Sequence, residues 1–74
     1  MVEVRVYNAQ WEHLPPRLGM NLEGREVAVA DLLATLGLDP AEVGIVTVDG
    51  RQSKLDEMVP AEGRVCIFPP MFGG

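Results

Sequence analysis

A single helical pattern, with strand patterns on both sides, is the feature that most constrains how this chain folds. Four apolar residues at offsets of zero, three, four and seven fall on one helical face: Val29, Leu32, Leu33 and Leu36. Gly37 follows as a C-terminal cap, whereas Ala28 offers no capping oxygen at the other end. Because so short a helix is marginal in isolation, it must be stabilised by packing onto a sheet.

The remaining segments are typical of β-strands. Alternating apolar and polar residues, or β-branched runs, predict strands at 2–7, 18–22, 45–48 and 64–68, with a short return strand at 52–55. Asp49-Gly50 is a hairpin signal, because both central residues of a type I′ turn need positive φ. Asp39-Pro40 predicts a cap followed by one short helical turn.

The order of these elements predicts an α+β fold. The chain has 74 residues, which leaves room for one domain. Its predicted elements follow the order strand, strand, helix, strand, short strand and strand. We expect a mixed sheet of four to five strands, crossed on one face by the one helix, which is the β-grasp (ubiquitin-like) topology. The predicted domain spans residues 1–68, and residues 69–74 form an extended C-terminal tail.

Composition excludes several classes of function. Six Lys and Arg against 11 Asp and Glu give a net charge of −5, which argues against nucleic acid binding. The single cysteine, Cys66, excludes an internal disulfide and a multi-cysteine metal site. No signal peptide and no membrane-spanning apolar run is recognisable. We therefore expect a cytoplasmic protein that binds no metal and no membrane.

One face of the predicted sheet is a candidate partner surface. In the last strand, Val65 and Ile67 point one way, and Cys66 and Phe68 point the other. If Val65 and Ile67 face the helix, Phe68 lies on the uncovered face, where an aromatic side chain indicates a binding surface. The alternative is that the loop containing Trp11 folds over Phe68.

The cysteine and the histidine are weak candidates for chemistry. Cys66 lies in mid-strand without a neighbouring histidine, and a buried cysteine behaves as a small hydrophobic residue. His13, the only histidine, is interpreted as a solvated loop residue.

The last six residues carry the strongest functional signal. Pro69-Pro70 stiffens the base of a tail that continues as Met71-Phe72-Gly73-Gly74. Two glycines without Cβ atoms can lie in a narrow channel and let another enzyme approach the terminal carboxylate. A terminal Gly-Gly is common by itself, but combined with the β-grasp order and the Phe68-Pro69-Pro70 junction it becomes a strong signal.

The chain resembles the ThiS/MoaD family of sulfur-carrier proteins over nearly its whole length. Residues 29–38 are similar to the helix of that family, and residues 46–51 are similar to its third strand and hairpin. The ending 68–74, Phe-Pro-Pro-Met-Phe-Gly-Gly, resembles the MoaD branch, the small subunit of molybdopterin synthase, where Pro-Pro precedes two variable residues and Gly-Gly.

This resemblance implies a mechanism in which the chain is a cosubstrate or non-catalytic subunit rather than an enzyme. An E1-like enzyme would use ATP to adenylate Gly74, and sulfur would displace AMP to leave a thiocarboxylate. The resemblance thus implies that Gly74 is the reacting residue. It also implies a set of partner-contacting residues: Phe68, Pro69, Pro70, Met71, Phe72 and Gly73. The sulfur would then pass to a synthase, most readily a MoaE-like large subunit that makes molybdopterin, the organic part of the molybdenum or tungsten cofactor. The chain itself would bind no cofactor.

Three alternatives remain open at this stage. A ThiS-type carrier would supply the thiazole of thiamin. A ubiquitin-like modifier would use the same adenylate but join Gly74 to target lysines; with Lys54 as its one lysine, the chain offers little choice for self-linkage. A β-grasp adaptor would bind through the sheet face that the helix leaves uncovered, and its Gly73-Gly74 ending would have no function.

Overall fold

The computed structural model describes residues 1–7, 11 and 13–70, and these residues form nine short elements. They are β1 (Val2–Val6), β2 (Arg17–Met20), β3 (Val27–Ala28), α1 (Val29–Thr35), a 3-10 turn (Pro40–Glu42), β4 (Ile45–Val48), β5 (Arg51–Ser53), β6 (Met58–Val59) and β7 (Arg64–Phe68). The helix has 7 residues and is the only α-helix in this described part of the chain. No helix there is long and apolar enough to cross a membrane.

Five of the described strands form one mixed sheet in the order β2-β1-β7-β4-β5. The two strands that lie farthest apart in sequence, β1 and β7, pair in parallel at its centre, whereas the other pairs are antiparallel. The remaining two strands, β3 and β6, form a separate antiparallel ladder. The predicted α+β fold, with a mixed sheet of four to five strands and one helix, is confirmed.

The hydrophobic core lies between the helix and one face of the sheet. The inward-facing strand residues Val4, Val65 and Ile67 are fully buried, and Leu32 and Leu33 meet them from the helix. Burying a side chain of this size contributes about 1.5–3 kcal/mol. The contacts with the sheet therefore stabilise a helix that is too short to persist alone.

The start of the helix is capped by backbone rather than by a side chain. Ala28 makes no side-chain cap hydrogen bond, because its methyl group has no acceptor atom. Instead, the N–H of Val29 donates to the carbonyl of Glu57 at 2.9 Å, and the N–H of Ala30 donates to that of Leu55 at 2.9 Å. The segment around β6 thus satisfies two of the N–H groups that a helix start leaves unpaired.

The predicted hairpin turn is confirmed, whereas the bounds of three strands differ from those predicted. The first strand ends at Val6 rather than at residue 7. Asp49 and Gly50 have φ values of 51° and 85°, as a type I′ hairpin requires. The second strand ends at Met20 rather than at residue 22, because the Asn21 side chain accepts a hydrogen bond from the N–H of Glu23 and starts a turn. The return strand is Arg51–Ser53 rather than 52–55.

Candidate functional site

The face of the sheet opposite the helix is polar along β1 and becomes aromatic toward the end of β7. Cross-strand pairing puts Arg5, Cys66 and Thr47 in one row across three neighbouring strands. The preceding row holds Glu3 and Arg64, and the following row brings Phe68 opposite Ile45. We call the surface formed by Glu3, Arg5, Tyr7, Arg64, Cys66 and Phe68 the open face.

An aromatic pair forms the apolar part of the open face. The rings of Tyr7 and Phe68 stack with centroids 4.8 Å apart and an angle of 7° between their planes. The N–H of Tyr7 donates to the carbonyl of Ile67 at 3.0 Å, which extends the pairing of β1 with β7 by one residue. Tyr7 is 46% exposed and Phe68 is half-buried, so one edge of the pair is accessible to a partner.

An ionic network adjoins the aromatic pair. The carboxylate of Glu3 accepts hydrogen bonds from Nε of Arg5 at 3.2 Å and from Nε of Arg64 at 3.0 Å. Both hydrogen bonds lower the pKa of Glu3 below its usual value, and the bond from Arg5 has the larger effect. A hydrogen bond with Tyr7, followed by that with Glu3, raises the pKa of Arg5. The open face therefore presents, beside an aromatic patch, an ionic network in which one carboxylate binds two guanidinium groups.

The aromatic residue that the sequence analysis weighed against Phe68 lies elsewhere. The ring of Trp11 is buried in the core, and its Nε1–H donates to the carboxylate of Glu42 at 3.3 Å. The ring that stacks on Phe68 is that of Tyr7, which the sequence analysis did not select. Residues 8–10 and 12 of the Trp11 loop lie outside the described residues.

Cys66 and His13 lie apart from each other, one in a strand and one at the end of the helix. Cys66 is a half-buried free thiol in mid-strand on the open face. His13 is exposed, as predicted, and its Nε2–H donates to the carbonyl of Leu36 at 3.0 Å, at the C-terminal end of the helix. Across residues 1–7, 11 and 13–70, no group of three or more His, Cys, Asp or Glu side chains is arranged to hold a metal ion.

The chain leaves the sheet from its central strand. The N–H of Gly44 donates to the carbonyl of Phe68 at 2.9 Å, next to the pairing of Ile45 with Phe68. Pro69 is half-buried and Pro70 is exposed, and because neither has an N–H, pairing with β4 ends here. Three predicted contact residues, Phe68, Pro69 and Pro70, thus lie together beside the open face.

The other predicted site residues, Met71, Phe72, Gly73 and Gly74, lie outside the described residues. What the structure describes is the position from which they start. That position is Pro70, two residues beyond Phe68, which ends β7 and belongs to the aromatic pair.

Comparison with known proteins shows the fold. No protein-family model and no curated protein matches the chain. Among solved structures, SAMP1 from Haloferax volcanii matches 99% of this chain and 98% of its own with a TM-score of 0.69, at 21% sequence identity. Identity this low shows a shared architecture, so the chain has the small α+β β-grasp fold that the element order predicted.

Proposed function

We propose that this chain is a sulfur carrier whose Gly74 carboxylate is converted to a thiocarboxylate that serves molybdopterin synthesis. The observation that carries the proposal is the junction at the end of β7. A central strand ends at Phe68, within an accessible aromatic pair, and Pro69-Pro70 follows it. Gly73 and Gly74 lie three and four positions after Pro70. This junction joins a surface for docking to a tail narrow enough to enter a partner's channel.

The chemistry proceeds through an activated carboxyl group. A free carboxylate is too poor an electrophile to accept sulfur directly. The activating enzyme joins Gly74 to AMP and releases pyrophosphate from ATP; hydrosulfide then attacks the carbonyl carbon, the bond to AMP breaks, and a thiocarboxylate remains. Each step is catalysed by the partner, and the chain is its cosubstrate.

The residues of the tail have separate roles in this proposal. Gly74 carries the adenylate and then the sulfur, and Gly73 allows close approach because it has no Cβ atom. Pro69 and Pro70 restrict the conformations of the tail base, which lowers the entropy lost when a partner holds it. Met71 and Phe72 provide apolar contacts within the partner.

The open face is the docking surface in this proposal. The Tyr7–Phe68 pair supplies an amphipathic aromatic anchor of the kind that dominates protein interfaces. Arg5 and Arg64, both paired with Glu3, add polar contacts at the edge of that anchor. The two partners would be an E1-like adenylating enzyme and the large subunit of molybdopterin synthase.

Reconstitution with an activating enzyme tests the proposal. The purified chain is incubated with the enzyme, ATP and sulfide, and adenylation is followed as exchange of labelled pyrophosphate into ATP. The proposal predicts exchange, together with a mass increase equal to one oxygen replaced by sulfur. Deletion of Gly74 should abolish both, while Lys54→Arg should leave both unchanged.

Other outcomes identify the alternatives. Exchange followed by conjugates to other proteins, without the sulfur mass, would support a ubiquitin-like modifier. Thiocarboxylate formation that serves only the thiazole synthase would support a ThiS-type carrier. If the chain is never adenylated, and binds its partners equally well without Gly73-Gly74, it is an adaptor.

A further inference from the structure

Gly44 lies against the backbone at the start of the tail. A Cβ atom added at Gly44 would lie 2.8 Å from the carbonyl carbon of Pro69 and 2.8 Å from the Cα of Pro70. Both atoms belong to the backbone, so no side chain can rotate away to make room. Any residue other than glycine at position 44 therefore requires the Pro69-Pro70 segment to move.

The need for glycine at this position is spatial rather than conformational. Gly50 and Gly24 have positive φ values with nothing near an added Cβ, so they meet a conformational need. Gly44 is the reverse case, since its φ lies outside the positive region and its Cβ position is blocked. Close approach of two backbone segments is a distinct reason for glycine.

We propose that Gly44 is a positioning residue that sets the direction in which the tail leaves the sheet, and so where the Gly74 carboxylate meets the activating enzyme. This inference rests on the proposed function. The ladder between β4 and β7 fixes Phe68 on one side, and the N–H of Gly44 holds its carbonyl at 2.9 Å. Pro69 and Pro70 have restricted φ, so a change at this contact changes the direction of the backbone at Pro70.

Gly44→Ala is the test variant, and Gly19→Ala is its matched control. Gly19 also lies in the five-stranded sheet, and its Cβ would meet chiefly the flexible Met1 side chain, which is 65% exposed. Both variants add one methyl group, but only Gly44→Ala disturbs the tail base. Each is first compared with the wild type by NMR, through the shifts of Pro69 and Pro70 and their contacts with residue 44.

Kinetics with the activating enzyme then separates positioning from folding. Gly44→Ala displaces Pro69 and Pro70 but leaves the Tyr7 ring and the Glu3 network of the open face in place, so KM for the carrier should stay within about twofold. In contrast, kcat should fall by roughly 10- to 100-fold because the carboxylate is misplaced. A variant that is merely unstable would instead behave as a lower concentration of active carrier, with a raised apparent KM and unchanged kcat. Gly19→Ala, which pairs with Glu3 and does not touch the tail base, should keep the wild-type kcat.

Each outcome bears on one claim. If the signals of Pro69 and Pro70 shift in Gly44→Ala but kcat is unchanged, the positioning role is overturned. If the wild type is never adenylated, the proposed function fails, while the NMR result still reports on the packing. If Gly44→Ala does not fold, the wild type is used instead, and NMR contacts between the protons of Gly44 and those of Pro69 or Pro70 are measured. The absence of these contacts overturns the inference.

Discussion

Removing the Tyr7 ring should weaken partner binding while leaving the domain folded. Tyr7 is 46% exposed, so about half of a side chain of roughly 200 Å² already packs against the protein. Losing that packing and its stacking on Phe68 should cost about 1–3 kcal/mol. A domain of 74 residues has a free energy of unfolding of about 4–11 kcal/mol, so Tyr7→Ala should remain folded.

The exposed part of the ring sets the expected loss of affinity. Burying the remaining ~90 Å² of the Tyr7 side chain against a partner should contribute about 2 kcal/mol to the binding free energy. Tyr7→Ala should therefore raise the Kd about 30-fold. Tyr7→Phe keeps the ring and loses the hydrogen bond with Arg5, so its loss should be below about threefold. Met58→Ala is the matched control, because Met58 is 50% exposed but lies on β6, outside the five-stranded sheet.

Two measurements check this prediction. Urea unfolding gives the free energy of unfolding of each variant, and calorimetric titration with the activating enzyme gives its Kd below the unfolding temperature. An unchanged Kd for a folded Tyr7→Ala would refute the assignment of the open face as the docking surface. An equal loss for Met58→Ala would refute it as well, because the effect would then follow from exposed apolar area anywhere.

Three further predictions concern the domain itself. Leu32→Ala empties a fully buried position and should lower the unfolding free energy by about 3–5 kcal/mol in urea titration, whereas the exposed Thr35→Ala should change it by less than about 1. Glu3→Gln should flatten the pH dependence of stability: since folding lowers the pKa of Glu3 below its ordinary 4.5, its contribution is present above that pH and lost as the pH falls through the folded pKa. An acid unfolding curve identical to the wild type would contradict this. Gly50→Ala should cost about 1–2 kcal/mol although its Cβ meets nothing, because φ is 85°; a neutral substitution would contradict the turn assignment.

Local patterns were sufficient to predict most of the elements. The spacing of Val29, Leu32 and Leu33 identified the helix, and Asp49-Gly50 identified the hairpin, because both signals lie within a few residues. Asp39-Pro40 likewise begins the predicted short turn, where the Asp39 carboxylate accepts a hydrogen bond from the N–H of Ala41. The ladder of β3 and β6 was missed, since two residues per strand are too few to show a period.

The candidate site depends on contacts that no local pattern contains. Tyr7 and Phe68 stack because the first strand pairs in parallel with the last, some 60 positions away in the chain. The alternation of Glu3, Arg5 and Tyr7 could have indicated that Tyr7 shares their face, but it could not identify the neighbouring strand. Gly44 carried no sequence signal at all, because its role follows from the approach of Pro69 and Pro70.

Whether Gly74 carries sulfur can be read from the intact mass of the protein purified from its own host. We expect a population heavier by the exchange of one oxygen for sulfur, whose thiocarboxylate reacts with an alkylating reagent and which disappears when Gly74 is deleted. A mass that stays equal to that of the unmodified chain, in cells that are making molybdopterin, would contradict it.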